Sequence, residues 1–211
     1  MQPSSPDMPL PMTWEALAYP GRGESTASER IRLRAIEPED AIHFHHWNSD
    51  PERARHLDFL WPPTSLESVR RWTTEMAQRR FTGEDYHWVI ENDARTPVGS
   101  ISTHHVEPRH GTFHLAFDVA RDHRRRGYAS AAIGLVVRWY FDELRYQKAV
   151  AVVYSTNVAS LALHDRLGFV REGCLRRMVY QNGAYHDKIV FGMTREEFHE
   201  CPWETRLRPS P

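Results

Sequence analysis

His123-Arg124-Arg125-Arg126-Gly127-Tyr128-Ala129-Ser130 is the stretch on which the fold turns. Residues 113–119 before it alternate and are rich in apolar and aromatic side chains, as a strand is, whereas residues 130–144 after it carry apolar positions at helical spacing. The segment therefore reads as a strand delivered into a helix across a tight basic turn. A helix N-terminus presents unpaired backbone N–H groups and partial positive charge, so an anion placed there gains hydrogen bonds and dipole stabilisation together. Gly127 permits close backbone approach, Ala129 adds only a methyl group, and Arg124, Arg125 and Arg126 supply diffuse positive charge. These residues predict a phosphate-binding turn, and they also suit a basic surface turn that caps a helix.

Around this turn, 211 residues with 40% hydrophobic and 11% aromatic content suit one domain with tails. A net charge of -1 points to neither a nucleic-acid nor an anionic-membrane partner, so any basic site must be local. Cys174 and Cys201 form no CxxC pair, and with no secretory signal they predict free thiols in the cytoplasm. The thirteen histidines are dispersed and predict no metal site; His43, His45 and His46 read as partly exposed residues of an early helix. No apolar run approaches the roughly 18 residues that cross a bilayer.

Taken in order, residues 1–28 are rich in Pro, Gly, Ser and Thr and predict a flexible N-terminal extension, with Trp14, Leu17 and Tyr19 as side chains able to dock on the body or on a partner. Arg30-Ile31-Arg32-Leu33-Arg34 alternates as a one-faced strand, and Glu37-Pro38-Glu39-Asp40 opens a helix running to about Asn48. A short helical segment over 51–60 ends at Trp61-Pro62-Pro63. Thr64 or Ser65 then caps a helix with Val69, Trp72 and Met76 as its apolar stripe. Residues 86–91, 97–106 and 112–119 predict an antiparallel meander, and 148–154 a buried strand of β-branched character. A helix over 157–167 stops at Gly168, and strands over 169–180 and 186–194 are joined through Asn182-Gly183. The main domain is expected over 29–198 and a C-terminal tail over 199–211.

By spacing, Arg124-x-x-Gly127-x-Ala129 resembles the pyrophosphate signature Arg/Gln-x-x-Gly-x-Gly/Ala of the GNAT acetyltransferase superfamily. Asn157-x-x-Ser160-x-x-x-His164-Asp165-Arg166-Leu167-Gly168-Phe169 resembles that family's second motif, at the expected distance and with the expected helix and strand between. Trp47-Asn48-Ser49-Asp50-Pro51-Glu52, Glu172-Gly173-Cys174-Leu175-Arg176-Arg177 and Asn182-Gly183-Ala184-Tyr185-His186-Asp187 resemble the Rim-type branch, which acetylates N-terminal amines of ribosomal proteins and includes enzymes of small amines and antibiotics. The resemblance implies an α/β (α+β) GNAT fold: a mixed, mostly antiparallel sheet of about seven strands with a splayed parallel pair, flanked by about four helices. It implies an acetyl-CoA-dependent N-acetyltransferase, with a homodimer left open.

Carried onto these residues, the resemblance seats the pantetheine arm along Phe117 and Val119 and the pyrophosphate on the amides of Arg126, Gly127, Tyr128, Ala129 and Ser130. The charge of Arg124, Arg125 and Arg126 offsets the phosphates, Asn157 contacts the pantetheine amides, and Ser160 and Arg166 complete the cofactor site. The amine attacks the thioester directly, so Cys174 is not needed as a nucleophile. His164 stands where the family usually has a tyrosine acid; an imidazolium of pKa near ~6.5 is a competent acid towards a thiol of about 8.5. Val179 replaces a glutamate base found in some Rim-type members. Asp118, His114, His104 and His105 are the candidate bases instead, with a water chain as a further route. Asp187 is expected to fix the last hairpin or to meet substrate. A polycationic antibiotic would need an acidic pocket, which Glu37, Glu39, Asp40, Glu52, Asp58, Glu67 and Glu75 could build or could equally spend as a solvated helix face. A non-catalytic CoA-binding module is the reading of another class.

Overall fold

Ile31 and Leu33 are buried while Arg32 and Arg34 lie on the opposite face, so the alternation at residues 29–35 becomes a one-faced strand of the central sheet. The computed structural model describes residues 14–18, 29–57, 62–79 and 85–201. Its strands are β1 (Trp14–Ala18), β2 (Glu29–Ala35), β3 (His87–Asn92), β4 (Pro97–Glu107), β5 (Thr112–Val119), β6 (Lys148–Tyr154), β7 (Val170–Gln181) and β8 (Ala184–Thr194). They form one sheet in the order β1-β2-β3-β4-β5-β6-β8-β7. Every pairing is antiparallel except β5 with β6, the mixed arrangement expected. The sheet counts eight strands because β1, inside the stretch expected to lack regular structure, pairs with β2 from Trp14↔Leu33 to Ala18↔Glu29. Tyr19, Asp58, Trp61 and residues 202–211 of the expected tail lie outside the described residues.

Helices cover both faces. On one, α1 (Ala41–Asn48) and α3 (Leu66–Gln78) bury Phe44, Trp47 and Val69 against Val89 of β3, with Trp72 and Met76 packed alongside. Ser65 caps α3 by accepting a hydrogen bond from the Ser68 N–H, and α2 (Pro51–Leu57) bridges towards β5. On the other, α4 (Tyr128–Arg138) packs Ala132, Ile133, Val136 and Val137 into the main core. The expected helix over 130–144 is continuous in space, but its last turn, Trp139–Glu143, widens to π-type and buries Tyr140 and Phe141. Then α5 (Val158–Arg166) follows β6, and α6 (Arg195–Glu200) seats the fully buried Phe198 against Phe141.

Candidate active site

Pairing between β5 and β6 runs only from Thr112↔Lys148 to His114↔Val150. Beyond that point residues 115–119 and 151–154 diverge and form opposite walls of a cavity of about 1060 Å³. Eleven of the residues predicted to hold a nucleotide line it: Phe117, Val119, Arg124, Arg125, Gly127, Tyr128, Ala129, Ser130, Asn157, Ser160 and Arg166. Arg126 does not. The divided sheet and the basic turn are thus walls of one cavity.

The turn itself is shaped by two left-handed residues, Arg125 at φ 66° and Gly127 at φ 82°. Gly127 is the N-cap of α4, and no side chain caps that helix, which leaves its opening turn directed at the cavity. Arg124 has a second employment that spacing alone does not reveal. Its Nε donates to the Val119 carbonyl at 3.1 Å, and its guanidinium reaches Glu52 at 3.4 Å and Asp50 at 3.6 Å, strapping the turn to the end of β5 and to α2. Arg125 and Arg126 remain exposed.

On α5, Asn157 acts as N-cap, its Oδ1 accepting from the Ser160 N–H at 3.1 Å. One turn on, His164 is 1% exposed and sits among Phe117, Phe169 and Phe191, stacked on the last with centroids 5.1 Å apart. Its Nδ1 lies 2.8 Å from the Ser160 carbonyl. A carbonyl only accepts, so Nδ1 carries the hydrogen and Nε2 holds the lone pair. That Nε2 is buried and has no hydrogen-bond partner among the described residues. Desolvation lowers the imidazole below its ordinary pKa, outweighing the Ser160 hydrogen bond and the nearby Asp165, so the ring is neutral at neutral pH.

A second cavity of about 760 Å³ opens between α1, α3 and the sheet and meets the first at Arg53, Ala116, Phe117 and Asp118. Asp118 is bound by Arg53 in a buried ion pair, and Arg53 also donates to Asn48 Oδ1 at 2.7 Å. The candidate base Asp118 therefore has its carboxylate engaged. Replacing it by asparagine should cost roughly 3–5 kcal/mol, because Arg53 is left charged and buried, and thermal unfolding of Asp118→Asn against wild type checks this. None of the described acidic residues expected to build a polycation pocket, Glu37, Glu39, Asp40, Glu52, Glu67 and Glu75, lines this cavity. Asp40 is instead clasped by Arg34 at 2.7 Å, while Glu52 faces the first cavity.

His87, Phe44, Trp72 and Arg53, which sequence reasoning did not select, all line the second cavity. Burial, aided by the charge of Arg53, pushes His87 down to about 4. An unfolded chain takes up this proton near 6.5 while the native one refuses it until about 4, so stability is complete above 6.5 and falls as pH drops through that window. The loss attributable to His87 is at most about 3 kcal/mol. Urea titrations at pH 7 and pH 4.5 should show that loss in wild type and a smaller one in His87→Phe.

His104, on the wall of the first cavity, pairs across the sheet with the candidate base His114, which lines neither cavity. A bulge in β4, with His105 at φ 47°, brings the third ring in, and the centroids stand 5.1–5.6 Å apart. His104 and His114 are both lowered from their ordinary pKa, chiefly by desolvation and then by the neighbouring imidazoles, with Asp85 opposing at His104. The three form no metal-holding group among the described residues. Of the remaining candidates, Val179 is buried in β7, and Asp187 accepts from the Arg177 N–H at 2.8 Å, fixing the bulge of the last hairpin. The Cys174 thiol is exposed, and desolvation and then Asp187 push its pKa up, away from a reactive thiolate.

Comparisons with known proteins agree with this geometry. Residues 30–170 match the family model described as an acetyltransferase (GNAT) domain. The chain is 39% identical over 170 residues to the SPbeta prophage-derived uncharacterized N-acetyltransferase YokL of Bacillus subtilis, covering 81% of this chain and 93% of that one. It is 20% identical over 187 residues to the spermidine N(1)-acetyltransferase of Escherichia coli, covering 87% of this chain and 98% of that one. In fold it is similar to the crystal structure of spermidine N-acetyltransferase from Vibrio cholerae in complex with CoA and spermine, at TM-score 0.71 and 19% identity over 80% of this chain and 98% of that one. No helix of the described residues is long and apolar enough to cross a membrane. A parallel pair that parts above an uncapped, glycine-led helix, together with a family match over most of the described residues, places the chain in the GNAT family: it is an acetyl-CoA-dependent N-acetyltransferase.

Proposed function

We propose that the chain transfers acetyl directly to a primary amine, either a peptide N-terminus or a small molecule, and that the two cavities hold the two substrates. The observation that carries this reading is their junction at Ala116, Phe117 and Asp118 on β5. When bound, acetyl-CoA supplies an activated thioester carbonyl. The α4 amides and Arg125 hold its phosphates, residues 117–119 its arm, and Arg124 keeps the turn against β5 and α2.

The amine arrives protonated and must lose two protons. His104 lines the first cavity with His114 beside it, both lowered from their ordinary pKa chiefly by burial, and His104 takes the first, passing it to solvent. As the C–N bond forms and the C–S bond breaks, the Nε2 of His164 takes the second from nitrogen and returns it to the departing sulfur. One proton is thus released and one relayed, and no enzyme nucleophile is required. Asp118 serves as a positioning residue through Arg53.

The Rim-type likeness of residues 47–52, 172–177 and 182–187 supports transfer to an amine and does not choose between a peptide N-terminus, a small amine and an antibiotic. The lack of a spare carboxylate among the described residues of the second cavity favours a peptide N-terminus or small amine over an aminoglycoside, because aminoglycosides are polycationic. Release of free CoA thiol, followed with a thiol reagent across peptides and amines, is the test. Turnover with any primary amine supports the reading, and tight acetyl-CoA binding with no turnover across the panel overturns it in favour of a binding module.

A further inference from the structure

We infer that the acceptor carries an apolar group, aryl or branched alkyl, beside its amine and docks it against Phe44 and Trp72, so that polyamines are disfavoured. This deepens the proposed transfer to an amine and rests on it.

The wall of the second cavity is a cluster of rings in edge contact. Phe44 and Trp72 have centroids 4.9 Å apart at 80°, Trp72 and His87 5.6 Å at 67°, and Phe44 and His87 6.1 Å at 85°. Such a cluster gains from apolar area in contact with it, at roughly 25 cal/mol for each Å² withdrawn from water. Pro62, Pro63 and Val69 continue the same wall.

Charge decides against a polycation. Each ammonium brought into a closed site needs a carboxylate or several oxygens to offset its lost hydration. Among the described residues lining this cavity the only carboxylate is Asp118, and it is bound by Arg53. Aromatic rings do attract cations, yet here the guanidinium of Arg53 stands close enough to help hold His87 unprotonated, and a second cation meets the same repulsion. The amine alone is served, at the junction where Ala116 and Phe117 lie.

The test compares 2-phenylethylamine and isoamylamine with spermidine at saturating acetyl-CoA. We expect kcat/KM for the apolar amines to exceed that for spermidine by about tenfold or more, the size of effect one well-filled apolar pocket supplies. Spermidine turned over as well or better overturns the inference and leaves the acetyltransferase reading intact. Silence with all three amines overturns the inference as drawn for small amines, and only silence across the peptides as well, in protein that binds acetyl-CoA, overturns the acetyltransferase reading. A substitution locates the effect. Ser68 lies on the cavity wall in the first turn of α3, three residues after the cap Ser65, where aspartate favours the helix. Ser68→Asp should fold normally, raise kcat/KM for spermidine and lower it for 2-phenylethylamine; an unchanged ratio in folded protein overturns the placement of the acceptor.

Discussion

Gly127→Glu is expected to abolish acetyl-CoA binding while the protein stays folded. The residue caps α4 at φ 82°, so any side chain there costs about 1 kcal/mol of backbone strain, and in a domain of this size that lowers Tm by only a few degrees. The carboxylate has a larger effect on the ligand. It occupies the opening turn of the helix and confronts the diphosphate, and two like charges about 4 Å apart repel by about 4 kcal/mol in a partly screened site. That is about a thousandfold in Kd before any steric term. Gly127→Ala separates the causes, since it carries the same strain without charge or bulk and should lose less than about tenfold. Isothermal calorimetry with acetyl-CoA reads both variants. Unchanged affinity in Gly127→Glu would move the anion site elsewhere, and equal loss in the alanine variant would assign the effect to backbone distortion.

How far the sequence reveals this site follows from the range of the interactions that build it. Gly127, Asn157 and Gly168 act within one turn of themselves, and their types announce caps and left-handed positions directly. The strand β6 is likewise readable, because burial of Ala149, Ala151 and Val153 demands an apolar run. By contrast β1 lies amid Pro, Gly and Ser and owes its regularity to the free edge of β2, which no local pattern records. Arg53 and Asp118 are 65 positions apart, and each alone looks like a solvated charge. Phe44, Trp72 and His87 come from two helices and a strand, and only the packing of α1 and α3 on β3 turns three unremarkable aromatics into one wall of the second cavity. The bulge at His105 that gathers the histidines depends on register against β5. The basic turn and its helix are therefore local chemistry, and the second cavity is tertiary structure.

His164→Phe should lower kcat by about a hundredfold or more and change the KM for acetyl-CoA little, because a proton carrier acts on the barrier and contributes little to ground-state binding. Phenylalanine preserves the packing on Phe117, Phe169 and Phe191 and sacrifices only the Ser160 hydrogen bond and the buried lone pair at Nε2. The pH profile distinguishes two kinds of proton transfer. Burial holds His164 below its ordinary 6.5, so a ring that must begin neutral to collect the amine's proton loses activity only as pH falls beneath that lowered value. A ring that must begin protonated, as a simple acid would, gains activity over the same fall. We expect the first behaviour in wild type, with the acid limb assigned to His164 gone in the phenylalanine variant. Gln at this position can still hydrogen-bond but cannot carry a proton, so recovery of kcat in His164→Gln would reduce the histidine to a structural prop. Recovery in His164→Tyr alone would show that the site asks for a donor and will accept the family's usual one.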